Sequence, residues 1–282
     1  MEKIKKIRGW THKHAIPAAF IAFAVIEVIL LGVGRLLSLL PKELPIKYFN
    51  EAILVLIPIA IVFFFGFSSA FKKGNFFKGL FFCLPYIVVQ LIILGIFFGK
   101  NLGNPEANWQ SWYLILYSII SIICVAIREE CIYRATLQNI IAKKHGNSIK
   151  GIWITLIIGA SIFGFSHIFN LFFGVAPLSV LTQVLSAFIL GLLFGAIYLR
   201  SGSLWALILI HTLTDIVGLA DSTFLSINDV ENMNQLSLSV GKIILYLIYI
   251  GFTIYLLRPS KCKQIYENFC FTNEKSELSI DT

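Results

Sequence analysis

Residues 128–134 read Arg128-Glu129-Glu130-Cys131-Ile132-Tyr133-Arg134, and they follow an almost wholly apolar run from Tyr113 to Ile127. Two adjacent carboxylates flanked by two arginines therefore sit in lipid-like sequence. An ionisable group at membrane depth costs about 2.5 to 3.5 kcal/mol on insertion scales, and it persists where it pairs, faces a protein interior or lines a wet cavity. Glu130 and Arg134 stand four apart with the acid first, the favourable order for a helical ion pair. Glu129 points about 100° away on a helix and has no local partner for its charge. One glutamate reads as structural, and its neighbour as free for chemistry.

The rest of the composition agrees. Of 282 residues, 57% are hydrophobic and 13% charged, and mean hydropathy is +0.83. Soluble domains carry about 25% charged residues. The chain reads as an all-α polytopic membrane protein. A net charge of +8 would point to nucleic acid in a soluble chain. Here the positive-inside rule accounts for it, and the expected surroundings are a lipid bilayer with no nucleic-acid partner. The five cysteines, Cys83, Cys124, Cys131, Cys262 and Cys270, show no CxxC and no disulfide-like spacing. They read as small buried hydrophobes or bystanders. The first apolar run is too long for a signal peptide and lacks a small-residue cleavage pattern, so it is expected to stay as a span.

Hydropathy places about eight spans, at 15–40, 52–71, 79–98, 109–144, 151–170, 178–199, 204–220 and 238–257. The first carries Glu27 and Arg35 near one face, both read as bundle-facing and structural, with a cavity-lining role open to Glu27. A loop with Pro41 and Pro45 follows it. The fourth has no Gly or Pro before Gly146. At 1.5 Å per residue it would reach on the order of 50 Å against a hydrocarbon core of about 30 Å, so it must tilt, kink or protrude. The loop around Gly174 and Pro177 is apolar and reads as partly re-entrant. In the sixth span, Gly191-Leu-Leu-Phe-Gly195 permits close helix approach. Lys and Arg gather before residue 15 and at 72–78, 143–150, 200–202 and 258–263, whereas the alternate loops hold only Lys42, Lys47 and Lys100. That asymmetry puts both termini in the cytoplasm. The division expected is a basic cytoplasmic segment over 1–14, a transmembrane domain over 15–257 with its motif core at 129–215, and a polar, mobile cytoplasmic tail over 258–282.

Three spans bring polar groups to membrane depth. They are Glu129 and Glu130 with Arg134, then His167, then His211 with Asp215. His12, His14 and His145 lie in basic or loop sequence and read as bystanders. A single buried histidine is more often a satisfied core residue than a catalyst; three helices each carrying such groups point to a site. One chemistry is a water held by Glu129 and His167, deprotonated by the carboxylate and delivered to a carbonyl. His211 and Asp215, four apart on one helix face, would stabilise the oxyanion. The same groups offer a second chemistry, a metal site with Glu129, His167 and His211 as ligands, although no HExxH is present. Ser166 lacks a GxSxG context, and Cys131 lies among acids that disfavour a thiolate.

These motifs resemble the CAAX-prenyl-protease-type intramembrane proteases, the CPBP family of CAAX proteases and bacteriocin-processing enzymes. The family pattern is EExxxR, FxxxH and HxxxN or HxxxD on successive transmembrane helices. Here it reads Glu129-Glu130-Cys-Ile-Tyr-Arg134, Phe163-Gly-Phe-Ser-His167 and His211-Thr-Leu-Thr-Asp215. Each motif is weak alone; the ordered trio is specific. The resemblance implies an endopeptidase acting on a membrane-associated peptide or protein, prenylated or not, in a bacterial cell membrane, with bacteriocin self-immunity among the family's roles. It implies that Glu129 is the general base, acting with His167 on water, and that His211 and Asp215 form the oxyanion site. Glu130, Arg134 and Phe163 would support them. It further implies a glutamic protease with no cofactor, in a family once regarded as metalloproteases. Asp215 departs from the asparagine of the CAAX-processing enzymes. An ionised aspartate would repel an oxyanion, so Asp215 must be protonated or must orient His211.

Depth sets one more condition. His167 lies toward one end of its span and Glu129 nearer the middle of its own. They meet only if helices tilt or break, for which Gly159 and Gly164 give room. Two rival classes use the same residues: a non-proteolytic immunity or scaffold protein that binds a peptide in the cavity, and a proton-relay transporter. No internal repeat of the kind transporters show is evident.

Overall fold

A computed structural model describes residues 2–40, 50–72, 74–226 and 239–269. The loop with Pro41 and Pro45, most of the acidic loop at 221–237, and the tail with Cys270 lie outside the described residues. So do Lys73 and Leu238.

The described chain is a bundle of α-helices. They are α1 (Glu2–Lys13), α2 (Ala15–Ser38), α3 (Asn50–Leu54), α4 (Leu56–Phe65), α5 (Phe76–Asn101), α6 (Trp112–Glu130), α7 (Asn139–His145), α8 (Ile149–Ser166), α9 (Pro177–Ser201), α10 (Leu204–Gly218), α11 (Ala220–Phe224), α12 (Val240–Leu256) and α13 (Pro259–Phe269). Every segment expected to span is helical, but fewer are full spans than the eight read from hydropathy. Among the described residues four helices are long and apolar enough to cross a membrane, or five if the bent pair Val240–Leu256 and Pro259–Tyr266 counts as one. The second expected span is broken after Leu54, because Pro58 has no N–H to give its carbonyl. It ends at Gly66, whose φ of 82° is the left-handed turn that closes a helix. The seventh is only the 15 residues of α10. Residues 259–269, expected as mobile tail, are instead α13. Pro259 starts it at a 67° bend, and Ile265 packs into the core.

The fourth expected span begins at Trp112, not Trp109. Residues 108–110 instead pair with 224–226 through two backbone hydrogen bonds. From Trp112 the helix runs unbroken to His145, but its middle, Cys131–Gln138, winds as a π-helix. All eight side chains of that segment are buried.

The core forms around α9, which is buried on nearly all sides from Gly191 onward. It packs against α8, α5 and α12, while α10 lies against α6 and α5. A second apolar cluster joins α2 to the π segment and α8. Outward faces are apolar and exposed, as at Val28, Phe81 and Leu247, the surface a lipid-embedded bundle requires. The GxxxG of α9 is a close-packing device here. A Cβ on Gly191 would come within 3.1 Å of the Ala160 backbone, and one on Gly195 within 2.7 Å of Leu156 and 3.1 Å of Gln138.

Gly195→Leu is expected to overpack this seam and cost about 1 to 3 kcal/mol, read as a lower unfolding midpoint in detergent. Gly251→Leu, where no atom lies within 4 Å of the new Cβ, should show no such loss.

Candidate active site

Four elements converge on the charged stretch. Glu130 is fully buried, and its Oε2 lies 3.3 Å from Arg134 Nε, the i,i+4 pair expected from the sequence. The pair is close but not aligned: Glu130 Oε2 and Arg134 Nε and Nη2 have no hydrogen-bond partner. The guanidinium is held by ring faces as well, 4.7 Å from the centroid of Phe163 on α8 and 5.9 Å from that of Phe194 on α9. Cation–π contact of this kind strengthens where water is excluded.

The other oxygen of Glu130 reaches α10. Its Oε1 lies 2.8 Å from His211 Nδ1. With Nδ1 held there, His211 turns its Nε2 edge toward Glu129 Oε2 at 3.5 Å and Asp215 Oδ2 at 3.7 Å. His211 is buried, whereas Glu129 and Asp215 keep 22% and 25% of their side-chain surface open. The two neighbouring glutamates are thus divided as expected. One is locked inside and the other faces open space. The structure adds what the sequence did not offer: the contact that orients His211 at Nδ1 comes from Glu130, and Asp215 sits on the opposite, Nε2 side with Glu129.

That space is a cavity of about 1020 Å³, lined by Glu129, His167, His211 and Asp215 and walled by α2. His167 enters it because α8 ends at Ser166 and tightens into a 3-10 turn, His167–Phe173. The break comes after the glycines, not at them. A Cβ on Gly164 would come within 3.0 Å of the Val184 carbonyl oxygen, so the bare glycine lets α8 pack closely on α9. His167 Nδ1 lies 3.0 Å from the carbonyl oxygen of Phe163, which can only accept. Nδ1 therefore carries a proton, and in the neutral ring Nε2 is the acceptor. Phe163 is the hub of the ring packing, edge-on to His167 at 5.2 Å and to His211 at 5.9 Å.

Two weaker candidates separate from the site. Cys131 is buried in the core beneath α9 and does not line the cavity. Ser166 does line it, but its hydroxyl donates to the Phe163 carbonyl. Among the described residues no group of three or more His, Cys, Asp or Glu has the geometry to hold a metal ion, so Glu129, His167 and His211 are not assembled as a ligand set.

Sequence reasoning reads the outer wall only in part. It takes Glu27 and Arg35 as bundle-facing and structural and leaves a cavity-lining role open to Glu27 alone; both line the cavity, as do Glu51 and Arg128, which form an ion pair with each other. The two-turn spacing of Glu27 and Arg35 was the available signal. Nothing in the sequence joined Glu51 to Arg128, 77 residues away.

Comparison with known proteins adds one match. Residues 110–217 fit the family model of Rce1-like, type II CAAX prenyl endopeptidases, a stretch that contains all three motifs. No curated protein and no solved structure matches the chain.

Removing one partner of the buried pair strands the other charge. Arg134→Met is expected to cost about 3 to 5 kcal/mol of stability, whereas Arg128→Met, at a pair that is partly open, should cost no more than about 1 kcal/mol. Thermal unfolding of the purified variants measures both.

Proposed function

We propose that the chain, whose residues 110–217 fit the Rce1-like family model, is a CAAX-type protease that cuts a peptide bond in a membrane-associated peptide or protein with water activated by Glu129 and His167. The observation that carries this reading is convergence: motifs from α6, α8 and α10 line one cavity in an apolar bundle.

The steps follow from the donors and acceptors present. A water in the cavity donates one proton to the open carboxylate of Glu129 and hydrogen-bonds to His167 Nε2. Its oxygen attacks the scissile carbonyl carbon, and the carbonyl oxygen takes up the negative charge. His211, held at Nδ1 by Glu130, presents a proton on Nε2 to that oxyanion. The Glu129 carboxylate at 3.5 Å and the Asp215 carboxyl group at 3.7 Å keep this proton facing the cavity before substrate binds. Asp215, on this reading, is protonated when the oxyanion forms and does not repel it. The tetrahedral carbon then collapses, the C–N bond breaks, and the proton held by Glu129 passes to the leaving amine. A general base contributes about 10² to 10⁴ in rate, and an oxyanion donor about 10² to 10³. On the same proposal the Lys- and Arg-rich loops put both termini in the cytoplasm.

The test is cleavage of a membrane-peptide library by purified protein. Glu129→Gln should lower kcat/KM by about 10² to 10⁴, with wild-type cleavage unchanged by a metal chelator. His211→Ala should lower it by about 10² to 10³. Asp215→Asn supplies a neutral donor in place of a protonated acid and should stay within about tenfold of wild type. Cleavage lost to chelator and restored by zinc would turn the reading to a metal-dependent protease. A folded protein that cuts nothing in the library, and binds its peptides, would turn it to a scaffold.

A further inference from the structure

Four acids and two arginines line the cavity: Glu27, Glu51, Glu129 and Asp215 against Arg35 and Arg128.

Most of these groups have partners. Glu51 holds Arg128. Glu129 and Asp215 face His211. Arg35, two turns beyond Glu27 and about 12 Å further along α2, is exposed near the end of that helix. Glu27 is different. It is half-buried near the middle of α2, and the next turn of the same wall is Leu30, Leu31 and Gly34. Among the described residues it has no hydrogen-bond or ion-pair partner, although Glu129 and Arg128 lie within electrostatic reach. A carboxylate at membrane depth is costly unless something pairs with it. It belongs neither to the matched segment 110–217 nor to the chemistry proposed above.

We infer that Glu27 is a specificity-determining residue, which selects substrates carrying a cationic side chain, Lys or Arg, close to the bond that is cut. This rests on the protease reading of the same cavity. The wall of α2 supplies apolar contact at Leu30 and Leu31 and one carboxylate facing the same cavity as Glu129. A substrate ammonium or guanidinium entering there pairs with Glu27 in place of water. A neutral side chain of equal size gains the contact and leaves the carboxylate unpaired.

The test uses apolar membrane peptides identical but for one residue, Lys or norleucine, moved stepwise across the cut region. Wild type should prefer the Lys peptide at one position by about tenfold or more in kcat/KM, the worth of one charge-assisted hydrogen bond. Glu27→Gln should bring that ratio close to one, chiefly through KM, and Glu27→Lys should shift the preference to a Glu peptide. An equal Lys preference in wild type and Glu27→Gln overturns the inference while leaving the protease reading intact. Cleavage of no peptide by wild type counts against the protease reading instead. Binding of the same fluorescent peptides to Glu129→Gln and to Glu27→Gln/Glu129→Gln protein in nanodiscs then decides: loss of the Lys preference in the double variant supports the role of Glu27, and its persistence overturns it.

Discussion

Everything in the site hangs on one buried carboxylate. Glu130 has no access to water and meets Arg134 through one oxygen and His211 through the other. In a medium without water neither charge is tolerable alone. The requirement that they stay together therefore fixes the long helix against α10. Phe163 and Phe194 close over the guanidinium from α8 and α9, so the same constraint draws in two further helices. The rigidity of His211 follows: one ring nitrogen is spoken for, and the other has to face the cavity.

The different surroundings of the adjacent glutamates were legible in the sequence, because helical geometry alone turns neighbours about 100° apart and only Glu130 had Arg134 in reach. So was the assembly of three motifs, since polar groups in apolar helices must face an interior. The bond from Glu130 to His211 was not legible. It spans 81 residues, and no local pattern encodes which carboxylate a distant imidazole will choose. The cavity wall was half legible: Glu27 and Arg35 stood at a shared-face spacing, but spacing does not say whether that face meets protein or open space.

The π segment was invisible for a different reason. Cys131–Gln138 contains ordinary helix formers, with neither Gly nor Pro to mark a change of winding. What favours it is tertiary. Gln138 donates to the Gly195 carbonyl, and Asn139 donates to the Ala135 carbonyl and the Tyr198 hydroxyl. The two that reach α9, to Gly195 and Tyr198, are helped by the close approach that Gly195 allows. π turns recur at functional sites because they re-aim side chains without ending the helix. Here the turn begins directly after the two glutamates, on the stretch that carries Arg134. The GxxxG of α9, a weak signal by itself, thereby acts on the geometry of the site.

Hydropathy reads eight spans where four or five of the described helices are long and apolar enough to cross a membrane, because it cannot distinguish a helix that crosses lipid from a short one that other helices surround. α10 shows the difference. It is 15 residues long, and seven of them, including His211, are buried in protein. Such a helix need not match the thickness of a bilayer, since its polar groups are satisfied by neighbours instead of by water at either face. That freedom is what allows a histidine and an aspartate to sit on it. The long apolar helices do the reverse work. α2 reaches from its contacts with α7 past the level of Glu129, and its outer face belongs to lipid. Its inner face is then the natural place for selection. It lines the cavity at Glu27, Leu30 and Leu31, whereas the rings that hold Arg134 come from α8 and α9.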